Sequence, residues 1–132
     1  MSQENVEIVR QVYEEWERGN FNTPEVFDPS IRVVWVDAIF VSRAEAKGVR
    51  ELTQAMQGFL DAWEDVTAAA ERIIEAGDRV VAVVVWRGRG KTSGIEVESR
   101  QGSVWTMSEG KATTMENYSD PAEALEAAGL SE

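Results

Sequence analysis

From Asp78 to Tyr118 the chain writes three extended segments in succession, RVVAVVVWRGRG, GIEVESRQGSVWTM and GKATTMENYS, joined by turns that contain glycine. In Val80–Trp86 both alternating sets are apolar: Val80, Ala82, Val84 and Trp86 on one face, Val81, Val83 and Val85 on the other. A strand of that kind must be covered on both sides. Two amphipathic helices stand upstream, and helices can cover only one side of a single antiparallel sheet. The other side is therefore expected to pack on a second copy of the chain, a homodimer through the outer sheet face.

The first helix is expected from Ser2 to Arg18, where Val6, Val9, Tyr13 and Trp16 recur at spacings of three and four. Gly19 ends it, and Asn20–Pro29 is rich in turn residues, with Pro24, Val26 and Phe27 able to form a short helix capped by Thr23. Ile31–Val36 reads as a strand. A second helix carries Val49, Leu52, Met56, Phe59, Leu60 and Trp63 on one face, and Gly58 inside it costs roughly 1 kcal/mol against alanine, which something nearby should repay. Val66–Ala76 is a further strand, turned by Gly77 and Asp78 into Val80–Trp86. Asp120, Pro121 and Glu123 supply an N-cap, a first-turn proline and a capping-box acid for a short last helix, Pro121–Ala128, stopped by Gly129.

At 132 residues the chain fits one domain with its own core. Thirteen basic against 24 acidic residues leave a net charge of -11, which repels nucleic-acid phosphates and anionic lipids alike. No apolar run approaches the ~18 residues of a membrane span, and the expected setting is the cytoplasm. The sequence has no histidine and no cysteine. That removes Ser-His-Asp triads, thiolate nucleophiles and imidazole or thiolate metal sites, and no calcium-loop spacing of acids is present, so neither metal nor cofactor is expected. The GRGKTSG segment lacks phosphate-loop spacing and lies between strands. What survives is acid/base work by a carboxylate or tyrosine, or binding of a small apolar molecule.

Asp37 is the candidate base, since it closes a strand and precedes Ala38, Ile39 and Phe40, and apolar surroundings strengthen a carboxylate as a base. Its plainer reading is a solvated turn residue. Tyr13, on the inward stripe of the first helix, is either a hydrogen-bond donor to a developing oxyanion or a core tyrosine. Phe59 and Trp63 belong to a helical stripe that packing alone would explain, whereas Trp35, Trp86, Trp105 and Met115 could face a cavity. Gln101, Ser103 and Asn117 fall on alternate strand positions; they line a pocket wall if that face is inward and meet solvent if it is not.

The segments NVEIVRQVYEEWERGNF, WVDA, KGVREL, AGDRVVAVV, GSVWTMSEGK and DPAEALEAAGL, in that order, resemble the SnoaL-like branch of the NTF2-like superfamily over almost the whole chain. The resemblance implies an α+β cone, with a curved antiparallel or mixed sheet wrapped around three helices of the N-terminal half, a short C-terminal helix, and dimers through the outer sheet face. Relatives include ketosteroid isomerases, polyketide cyclases and limonene epoxide hydrolases. By that resemblance Tyr13 matches the isomerases' oxyanion-binding tyrosine and Asp37 approximates their base. Ser103 stands near the position of their protonated aspartate, which argues against steroid isomerisation itself. A cofactor-free isomerase or cyclase acting on a carbonyl compound is thus expected, beside a noncatalytic small-molecule binder or sensor and a dimeric scaffold with a filled cavity.

Overall fold

The computed structural model describes residues 2–36 and 45–130. Helix α1 (Ser2–Glu17) buries Val9, Val12, Tyr13 and Trp16, the stripe set by their spacing, and Gly19 at φ +86° turns the chain away from it. A single 3-10 turn, Pro24–Val26, stands where the middle helix of the N-terminal half was expected. Strand β1 (Phe27–Trp35), the short strand β2 (Glu45–Lys47) and helix α2 (Gly48–Ala62) follow. Then come four long strands, β3 (Trp63–Ala76), β4 (Arg79–Gly90), β5 (Glu96–Ser108) and β6 (Lys111–Tyr118), and helix α3 (Pro121–Ala127).

All six strands form one curved, open, mixed sheet in the order β2-β1-β6-β5-β4-β3, with β1 parallel to β6 and the other neighbours antiparallel. Helices α1 and α2 lie in its concave side, α1 mainly on β3 and α2 on β1. The fold is the α+β cone expected. Val80, Ala82 and Val84 face inward as their alternation requires, and each is wholly buried.

Two local expectations change. Trp63, placed on the α2 stripe by periodicity, is instead the first residue of β3, paired with Gly90 and extended at φ -127°. Its ring still stacks on Phe59, with centroids 6.4 Å apart, so the apolar contact survives the change of backbone. Gly58 has no packing reason to be glycine, because an added Cβ would meet nothing within 4 Å and the residue is exposed.

The outer face departs further from expectation. Helix α3 lies against it, with Ala124 and Leu125 packing on Val81 and Val104. Its N-terminus is fixed by the Asp120 carboxylate, which accepts the Ala122 N–H at 3.0 Å, with Pro121 in the first turn. Gly102 permits the approach: a Cβ there would stand 2.5 Å from the Ala124 Cβ and 3.0 Å from the Pro121 Cα. Farther along, Val83 pairs with Arg72 and Gly102, and Val85 with Ala69 and Arg100, beside the Arg100–Glu71 and Arg87–Glu98 ion pairs. Val83 and Val85 are only 2% and 7% exposed in the single chain. Helix α3 of the same chain thus covers Val81, while Val83 and Val85 lie outside that cluster. Among the described residues no helix is long and apolar enough to cross a membrane.

Candidate functional site

One end of the cone interior is hollow, with a cavity of about 430 Å³, within the usual size of small-molecule sites. Its sheet side is formed by Val33 and Trp35 of β1, Trp86 of β4, Gln101 of β5, and Met115 and Asn117 of β6. Leu52, Thr53, Met56, Gln57, Phe59 and Leu60 of α2 close it from the other side, and the connection Gly19–Thr23 closes it below Trp16. No Asp, Glu, Lys or Arg lines the cavity among the described residues. Its polar groups are amides and hydroxyls.

An aromatic series sets the shape of the wall. Trp86 stacks on Phe21 at 5.8 Å and 9°, and meets Phe59 edge-on at 6.0 Å. Trp16 lies 5.7 Å from Phe21 and donates its indole N–H to the Thr23 hydroxyl at 3.2 Å. The rim is tied down by Glu15, whose carboxylate accepts from the Asn20 side chain at 2.8 Å and pairs with Arg18. The Asn20 hydrogen bond is the main reason that carboxylate is held below its ordinary range, with the Arg18 charge adding to it and desolvation opposing.

Behind the cavity the interior is solid. Trp105 is wholly buried, stacks on Phe27 at 5.9 Å, and donates its indole N–H to the Tyr13 hydroxyl at 3.0 Å. Burial pushes the Tyr13 phenol up to about 12, against the opposing hydrogen bonds to Trp105 and Ser103. Ser103 in turn donates to the Asn117 Oδ1 at 2.7 Å, and the Asn117 Nδ2 donates to the Val34 carbonyl at 3.3 Å. Every buried side-chain nitrogen and oxygen among the described residues has a partner.

The model of the SnoaL-like domain matches residues 9–115. The chain belongs to the SnoaL-like family. No curated protein matches it. Solved structures share the SnoaL-like fold with it at low identity. An NTF2-like protein of unknown function from Burkholderia pseudomallei is 22% identical, covering 93% of this chain and 95% of its own, with a TM-score of 0.78. A SnoaL-like polyketide cyclase, so described provisionally, from Jannaschia sp. is 17% identical over 89% of this chain and 85% of its own, at a TM-score of 0.75. TerC, co-crystallised with polyporic acid, is 20% identical over 96% and 98%, at 0.74.

In this SnoaL-like chain the residues singled out from sequence divide by depth. Trp35, Phe59, Trp86, Gln101, Met115 and Asn117 lie on the cavity wall. Tyr13, Ser103, Trp105 and Trp63 do not, which corrects the reading of them as residues that face a ligand. Tyr13, Ser103 and Trp105 are at most 2% exposed, with their polar atoms engaged by one another, and Trp63 lies beyond Phe59 at the start of β3. Asp37 falls outside the described residues. Reading from sequence missed the contribution of Asn20–Thr23, whose turn-forming residues masked its role, although an aromatic Phe21 in that polar stretch was a usable signal. It also missed Thr53 and Gln57, which sit beside an apolar stripe that reads as ordinary core. Among the described residues no group of three or more acidic side chains could hold a metal ion.

Proposed function

We propose that the protein binds an uncharged, mainly apolar, ring-bearing small molecule in this cavity. One observation carries the reading: about 430 Å³ of space walled by aromatic and aliphatic side chains, with neutral amides and hydroxyls and no described ionic group. A charged ligand would lose its hydration there without gaining a counter-charge from any described residue. The net charge of -11 adds a field that disfavours anions. Flat aromatic surfaces at Trp86 and Phe21 suit a planar ring system.

Saturable binding of the neutral fluorophore N-phenyl-1-naphthylamine, with quenching of tryptophan emission, is the expected result. Its anionic relative, 8-anilinonaphthalene-1-sulfonate, should bind at least about tenfold more weakly. Equal binding of the two, or none of the neutral one, overturns the reading.

A second reading is a cofactor-free isomerase or cyclase acting on a carbonyl compound. It is supported by the family, which includes polyketide cyclases and isomerases, and by chain continuity, since Asp37 follows directly on the wall residues Trp35 and Val36. Replacing Asp37→Asn should then leave ligand affinity within about threefold while abolishing turnover; unchanged turnover rejects Asp37 as the base. The proposed assembly is a two-fold dimer through the outer sheet face around Val85, and sedimentation as a monomer at micromolar concentration rejects it.

A further inference from the structure

The buried hydrogen bonds behind the cavity have directions that chemistry dictates. An indole N–H can only donate, so the Tyr13 oxygen accepts from Trp105, at 3.0 Å. The Ser103 hydroxyl donates to the Asn117 Oδ1 at 2.7 Å. The Val34 carbonyl can only accept, so the atom 3.3 Å from it is the Asn117 Nδ2. Flipping the amide would set its oxygen against the Val34 carbonyl. One of the two Nδ2 protons is spent on Val34, and Asn117 stands on the cavity wall. Among the described residues the remaining N–H has no partner.

We infer that Ser103 is a positioning residue that locks the Asn117 amide with one N–H turned to the cavity, so that the site selects a ligand bearing a carbonyl oxygen there. This deepens the proposed binding reading and rests on it.

Fluorenone and fluorene test it as a matched pair, being the same planar skeleton with and without a carbonyl. The parent protein should bind fluorenone about three- to tenfold more tightly, the usual range for one neutral hydrogen bond. Asn117→Asp keeps the acceptor for Ser103 but removes the donor, and should bring the ratio to unity or below. Ser103→Ala should lower the ratio toward unity while fluorene affinity stays within about twofold, which reports an intact cavity. Equal affinities in the parent overturn the inference, as does a ratio that survives Ser103→Ala. If the parent binds N-phenyl-1-naphthylamine but shows no preference, only this inference falls; if it binds none of the three, the cavity reading falls with it.

Discussion

Gln101 and Trp105 sit on the same face of β5, four residues apart, yet one borders open space and the other is wholly enclosed. The hollow end and the solid end of the cone are built from the same strands in the same alternation. What differs is what stands opposite. Facing Trp105 are Tyr13, Trp16 and Phe27, with ring centroids 5.7 to 5.9 Å away, whereas α2 crosses the sheet at the Gln101 end without filling the space beneath it. Inward orientation therefore makes a residue a candidate for the wall, and the partner across the interior decides whether it becomes one. Ser103, between the two, donates its hydroxyl proton to Asn117 of the wall.

The largest expected effect breaks the solid end. Trp105→Ala should cost about 3–5 kcal/mol in urea-induced unfolding, since it removes a fully buried indole from a packed cluster and leaves the Tyr13 hydroxyl without its donor. Trp86→Ala should cost about half that or less, because its ring already borders empty space, but should abolish binding of the neutral fluorophore. Equal losses of stability from the two would erase the distinction between the ends.

Alkali tests the same contrast through Tyr13. A phenol raised from 10.0 to about 12 by burial stays protonated in the folded chain while the unfolded chain ionises. Its contribution is complete below pH 10 and is lost as pH rises from 10 toward 12, to the extent of about 2–3 kcal/mol. Tyr13→Phe should flatten that part of the stability profile, and absorbance at the phenolate band should show Tyr13 ionising only as the fold is lost. The smallest effect lies outside both ends: Gly58→Ala, on an exposed helical position with no steric contact, should stabilise by about 0.5–1 kcal/mol without altering ligand binding.

Local rules carried most of the fold. Spacings of three and four placed α1 and most of α2, alternation placed the four long strands, and Asp120 and Pro121 placed α3 with its N-cap and first-turn proline. Trp63 was misread because a helical stripe and a strand that begins beside it can present the same apolar side chain to Phe59. The outer valines were ambiguous for another reason. Nothing in Val81, Val83 or Val85 tells a covering helix of the same chain from a second subunit, and part of the answer lay in Gly102, against which α3 packs.

By itself the sequence determined most of the elements, the two alternating sets of each strand, and a chemistry without imidazole or thiol, because these follow from periodicity and composition. Only the tertiary structure decided which set faces inward, and which inward residues are wall and which are core. That depends on volumes brought together from α1, α2 and the sheet, and no local pattern records the distance to what lies opposite.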